Sequence, residues 1–238
     1  MTETTRIEAV AAAIRVDNLD TDQIMPKQFL RGIDKSGLAQ GLLYDMRFDA
    51  QGRPREDFVL NRPARSHAGI LVAGANFGCG SSREHAVWGL QQAGVRAVIA
   101  SSFGEIFYSN AMNNRLLLVM LPETDVAALM NDADDMADGR VLVDVDAMRV
   151  CSRQVDAAFS LSPRHRRMFI DGLDVIGLTL TQQRAIDAFK AKHWLTHPWM
   201  RDVARITTTR LHAEVNGQHL CRIDVPDQGS APRNSDLE

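Results

Sequence analysis

Residues 74 to 86 read G-A-N-F-G-C-G-S-S-R-E-H-A. Glycines at 74, 78 and 80, a lone cysteine, paired serines and an Arg-Glu-His run place a compliant backbone beside several kinds of polar chemistry. The flanks decide what the stretch is. Upstream, AGILVAGA at 68–75 is a short apolar run; downstream, Ser82 to Gln92 has helical character and VRAVIASSF at 95–103 is apolar and β-branched again. That succession predicts a strand, a helix and a second strand parallel to the first through a right-handed crossover, with the glycine loop at the strand-to-helix turn.

A loop in that position has two readings. In one, Ser81-Ser82-Arg83-Glu84 is an S-x-x-E capping box that satisfies free N–H groups at a helix start, and Gly78 and Gly80 supply backbone freedom. In the other, the loop N–H groups and the positive end of the helix converge on an anion. A nucleotide fits that anion poorly. No Gly-Lys-Ser/Thr follows, the G-x-G-x-x-G pattern is absent, and no acidic residue closes the next strand, VIASS. A carboxylate fits better, with Arg83 able to grip it through two parallel hydrogen bonds.

Farther along, Leu116 to Leu121 (LLLVML) predicts another buried strand entering a polar helix that Gly139 ends, and VLVDVDAMRV at 141–150 alternates as one half-exposed strand. Turn chemistry marks 171–180, and Thr181 opens a helix, TQQRAIDAFKAKH, stopped at His197-Pro198. Residues 204 to 225 read as an added β-hairpin turning at Asn216-Gly217, and the remainder to 238 as a disordered tail. The expected organisation is therefore one domain over 1–200 and a C-terminal extension over 201–238.

The whole chain bounds the possibilities. With 238 residues, 45% hydrophobic and 24% charged, it can bury one substantial core. A formal charge of -3 without a basic run offers nothing to a phosphate backbone, so nucleic acid is not an expected partner. The N-terminus, MTETTRIEAV, reads as neither a secretory signal nor a membrane span, which points to the cytoplasm and away from a membrane. Cys79, Cys151 and Cys221 are widely separated and lack C-x-x-C spacing, so neither a disulfide framework nor a metal nest is expected of this chain.

Beyond these residue-level readings, NFGCGSSREHA resembles the signature of the swivelling domain of the aconitase superfamily, in the form carried by isopropylmalate dehydratase small subunits. Three further blocks are similar in the same order: DNLDTDQIMPKQFL at 17–30, FYSNAMNNRLL at 107–117 and GLDVIGLTL at 172–180. The likeness spans roughly residues 7 to 199. It implies an α/β fold layered β/β/α, and a two-chain hydro-lyase in which a large partner subunit holds a [4Fe-4S] cluster while this chain closes the site. The substrate class implied is a dicarboxylic hydroxy acid, interconverted between 2-isopropylmalate and 3-isopropylmalate through 2-isopropylmaleate in leucine biosynthesis. Rivals are a related dehydratase acting on a citramalate, dimethylmalate or homoaconitate type of acid, and a non-catalytic anion-binding or regulatory module.

The resemblance also implies residue roles. Ser81 is the base that removes a proton next to a carboxylate, Arg83 holds the substrate carboxylate, and Ser82 donates to substrate or caps the helix. Asp22 orients charged groups at the site edge, and Arg31, in the loop 27–36, helps select the substrate's side group. Physical chemistry sets a condition on Ser81. An alcohol, like water, titrates far above neutrality, so a useful fraction of alkoxide near neutrality needs its equilibrium moved by about six powers of ten or more, at least roughly 8 kcal/mol of stabilisation. A helix N-terminus supplies at best ~2 kcal/mol. The rest must come from Arg83, the loop N–H groups, exclusion of water and the nearby charged cluster.

Other features have plainer readings. Cys79 beside His85 in sequence suggests an activated thiol, though sequence proximity does not bring an imidazole to a sulfur. DNLDTD at 17–22 lacks the glycine and glutamate of a calcium loop and reads as turn chemistry. Arg164-His165-Arg166-Arg167 reads as a solvated helix face or a patch for an acidic partner.

Overall fold

A computed structural model describes residues 5–30, 36–135 and 139–215. Two compact units divide at Thr181 and Gln182, earlier than the boundary at 200 expected above. In chain order the first unit contains β1 (Arg6–Ile14), α1 (Thr21–Ile24), α2 (Tyr44–Arg47), β2 (Ile70–Ala73), α3 (His85–Gln92), β3 (Ala97–Ala100), α4 (Glu105–Asn113), β4 (Leu117–Met120) and α5 (Glu123–Asp135). It continues with β5 (Arg140–Asp144), β6 (Arg149–Cys151), β7 (Asp156–Ala158), α6 (Pro163–Ile170) and α7 (Val175–Leu180). The second unit holds α8 (Gln183–Thr196) and α9 (Val203–Val215).

The seven strands form one sheet in the order β4-β3-β2-β1-β5-β6-β7. β1 to β4 run parallel, with Leu71 opposite Val98 and Val98 opposite Leu118. β5, β6 and β7 continue from β1 as antiparallel neighbours. β2, β3 and most of β4 are buried on both faces, which is why their sequences are continuous apolar runs rather than alternating ones. The strand-helix-strand unit around the glycine loop is present as expected, β2 and β3 being joined through α3.

Side chains alternate between two cores. Ile14, Leu71, Ala73, Val98 and Leu118 face the layer built with α1, α3 and α4, including Ala86, Leu90 and Phe107. Ile70, Val72, Ile99 and Val119 face the opposite core with Leu129 and Ala133 of α5 and Val141, Val143 and Val150 of β5 and β6. The antiparallel strands thus share a core with one face of the parallel sheet, and helices cover the other: the β/β/α layering expected.

Two sequence expectations are corrected. The strand foreseen over 141–150 is a hairpin, β5 and β6 paired through Val143 and Val150. The break is chemical: the Asp144 carboxylate accepts the Ala147 N–H at 2.8 Å, and Met148 takes a φ of 55°. The second correction lies in the extension, where residues 203–215 are helix α9 rather than the first strand of a hairpin. β-branched residues there signal a strand only where a sheet can receive one. Instead Ile206 N–H donates to the Asp202 carbonyl at 2.9 Å, and the apolar Val203, Ile206 and Leu211 recur near helical spacing. The expected turn at 216–217, the second strand and the tail lie outside the described residues, as does Arg31.

Among the described residues no helix is long and apolar enough to cross a membrane. The run 164–167 lies on α6, where Arg167 pairs with Asp171 at 3.1 Å and Arg166 donates to the Asp146 carbonyl at 3.2 Å, so part of it is structural.

Candidate active site

Parallel strands deliver their following loops to one edge, and here the loops after β1, β2 and β3 meet. The middle one, 74–84, threads between the others. Asp17 accepts from Ala75 N–H at 2.8 Å, Asn18 N–H donates to the Ala75 carbonyl at 2.8 Å, and Gly78 N–H donates to the Leu19 carbonyl at 2.7 Å. On its far side, Phe77 N–H donates to the Ser102 carbonyl at 3.2 Å and Gly104 N–H returns to the Phe77 carbonyl at 2.9 Å. The Asp and Asn residues at 17–18 are therefore the turn chemistry expected, and they splice two loops together.

Gly78 is required by this crossing. Its φ is +75°, and a Cβ there would lie 2.3 Å from the ring of Phe107. Phe107 is fully buried and packs edge-on against Phe77 at 5.4 Å. Gly80, at φ +96°, would bring a Cβ only to ordinary contact with Asp20 and Thr21, the nearest atom at 3.4 Å, so what it supplies is the left-handed backbone. Together they swing the chain so that Ser81 arrives beside α1.

There the Ser81 hydroxyl lies 2.8 Å from Thr21 Oγ1, and Ser81 N–H donates to the same oxygen at 3.1 Å. Thr21 is buried and Ser81 half-buried. Arg83 forms an ion pair with Asp22, the second residue of α1. That helix turn is fixed by a capping box, the Asp20 carboxylate accepting from Asp22 N–H at 2.8 Å and Gln23 N–H at 2.7 Å while Gln23 returns to Asp20 N–H at 3.0 Å. Ser81, Arg83, Asp22, Gly78 and Gly80 are brought together. Ser82 is adjacent and exposed, with its carbonyl accepting from Asn110 at 3.3 Å.

The S-x-x-E capping box does not form. α3 begins only at His85, its N-cap is Glu84, and no side chain caps it. Glu84 is instead engaged by Asn114, whose Oδ1 also accepts from the Trp88 indole at 3.1 Å. The helix start thus lies several residues past Ser81, with a carboxylate at its tip, so the dipole contributes less to an anion at Ser81 than expected. Asn110 and Asn114 explain the asparagine density of 107–117 as ties between α4 and the α3 entrance.

The thiol reading also finds no support in the geometry. Cys79 donates to the Asn18 carbonyl at 3.3 Å, whereas His85 packs on Trp88 at 4.8 Å. Thr21 is the site residue that sequence reasoning missed. Its only signal is its place inside the D-T-D of 20–22, which carries no chemistry until the fold sets it against Ser81.

Comparison with known proteins bears on these findings. The profile of the aconitase C-terminal domain matches residues 1–124. A 3-isopropylmalate dehydratase small subunit 1 from Chromobacterium violaceum is 62% identical over 211 residues, covering 89% of this chain and all of that one. The chain belongs to the 3-isopropylmalate dehydratase small-subunit family. A small subunit from Phenylobacterium zucineum is 48% identical over 197 residues, 82% of this chain and 97% of its own. The crystal structure of 3-isopropylmalate dehydratase from Methanocaldococcus jannaschii superposes with a TM-score of 0.55 at 29% identity, covering 78% of this chain and 99% of that one.

The family likeness runs farther than the four motif blocks suggest. A 211-residue match exceeds the 200 residues of the expected domain by 11, so it takes in part of the extension as well.

Proposed function

We propose that this chain is the proton-handling half of a two-chain hydro-lyase of leucine biosynthesis, interconverting 2-isopropylmalate and 3-isopropylmalate through 2-isopropylmaleate. The observation that carries the reading is the convergence, at one sheet edge, of the Ser81 hydroxyl with the Arg83–Asp22 pair. Family membership supplies the substrate.

In this reading Arg83 binds one substrate carboxylate in place of, or shared with, Asp22. That holds the adjacent C–H toward Ser81. Ser81 Oγ, as the alkoxide, accepts the proton; the electron pair of the broken C–H bond forms the carbon–carbon double bond as the hydroxyl leaves the neighbouring carbon. Water then adds with the opposite placement of hydroxyl and hydrogen, and Ser81 returns its proton. The positive charge of Arg83 and a site closed to water lower the cost of the alkoxide. Ser82 donates to substrate, and Arg31 contributes to side-group selection.

The hydroxyl side of the reaction belongs to a [4Fe-4S] cluster on the large subunit. Among the described residues of this chain no three His, Cys, Asp or Glu side chains gather. We assign the pair to the cytoplasm, with no nucleic-acid or membrane partner.

The test is reconstitution with a cluster-loaded large subunit and assay against a panel of 2-substituted malates. Turnover of isopropylmalate is expected to exceed that of citramalate, two methyl groups smaller, by about 100-fold or more, each group contributing roughly 10-fold at least. A preference for citramalate, dimethylmalate or a homoaconitate-type acid would overturn the substrate assignment.

A further inference from the structure

We infer that Thr21 is a positioning residue that presets the Ser81 hydroxyl for proton removal, an inference that rests on Ser81 being the base. Thr21 is itself immobilised. It is 1% exposed, it opens α1, and its own N–H donates to the Cys79 carbonyl at 2.9 Å. A hydroxyl has one proton and two lone pairs. One lone pair is taken by Ser81 N–H at 3.1 Å. For its proton Thr21 has two acceptors, Ser81 Oγ at 2.8 Å and the Ser81 carbonyl at 3.5 Å. Because 3.5 Å lies at the limit of a hydrogen bond, we assign the Thr21 proton to Ser81 Oγ.

Two consequences follow from that single proton. With Thr21 donating to Ser81 Oγ, the Ser81 proton is turned away from Thr21 and toward the open side of the loop. When that proton leaves, the oxygen anion keeps a donor already in place, and the bond becomes charge-assisted. Such a bond is worth roughly 10- to 100-fold in the equilibrium that forms the anion. Because Thr21 is buried, with its hydroxyl engaged by Ser81, the gain belongs to the chemical step and not to binding.

A purely structural staple between the two loops would behave differently, and two substitutions separate the cases. Thr21→Val keeps the methyl shape and removes the hydroxyl; Thr21→Ser keeps the hydroxyl and removes the methyl. In the reconstituted two-chain enzyme, T21V is expected to lower kcat about 10- to 100-fold with KM changed less than about threefold. T21S is expected to restore kcat to within about threefold of the unsubstituted chain, and both variants should co-purify with the large subunit. The inference is overturned by a T21V with full kcat, by a T21S as slow as T21V, or by a loss confined to KM. Should T21V fail to assemble, Thr21→Ala against T21S is judged by the same criteria. Ser81→Ala run in parallel separates the two claims: a fully active S81A removes the base assignment and the Thr21 role with it, whereas an inactive S81A beside a full-rate T21V removes only the latter.

Discussion

Arg83 and Asp22 come from different loops and meet as an ion pair, which gives the guanidinium a fixed direction before any substrate arrives. Lysine would keep the charge but lose the two-pronged geometry that matches a carboxylate. Arg83→Lys is therefore expected to lower kcat/KM about 10- to 100-fold, mainly through KM, and Asp22→Asn to lower it less, because the cation remains but turns freely. Steady-state kinetics on the reconstituted pair check both; equal kinetics for R83K and the unsubstituted chain would remove Arg83 from the site. At this scale Ser81, Arg83, Gly78 and Gly80 are legible because the glycine loop lies between two obvious strands. Thr21 is not, because its importance arises from a contact across 60 residues of chain.

Among the elements, α5 is joined to the β6–β7 turn by one buried carboxylate. Asp132, 1% exposed, accepts from Ser152 Oγ at 2.6 Å, from Gln154 N–H at 2.8 Å and from the Gln154 side chain at 2.5 Å. Burial alone would push its carboxyl up, but the hydrogen bonds from Ser152 and Gln154 outweigh it and hold the group below the ordinary carboxylate range. A folded-state pKa below the unfolded one means that the carboxylate stabilises the fold fully above the unfolded value, about 3.9, and that this is lost as pH falls through the folded value. Asp132→Ala should cost on the order of 2 kcal/mol at neutral pH, and Asp132→Asn should flatten the fall in stability on acidification. Urea unfolding between pH 7 and 3 measures both; an unchanged acid limb in D132N would refute the assignment. Strands β2, β3 and β4 were readable from their continuous apolar runs. β1 was not: its alanine-rich RIEAVAAAI favours helix locally, and only its place between β2 and β5 makes it a strand. α9 fails the opposite way, its threonines and isoleucine suggesting a strand where the chain forms a helix.

For the whole molecule, the division of labour between two chains is the claim on which the rest turns. A half-buried serine beside one arginine does not reach the roughly 8 kcal/mol an alkoxide needs near neutrality. Thr21 and the closing of the site against water must supply the difference, which ties activity to assembly. The most direct measurement is the dehydration of 2-isopropylmalate by the cluster-loaded large subunit combined with this chain or with its Ser81→Ala variant, each also assayed without the partner. The predicted result is turnover by the complete pair, none by this chain alone, and a fall of about 10²- to 10⁴-fold in the S81A pair with co-purification retained. Full-rate turnover by the S81A pair, or turnover by the isolated chain, would contradict it.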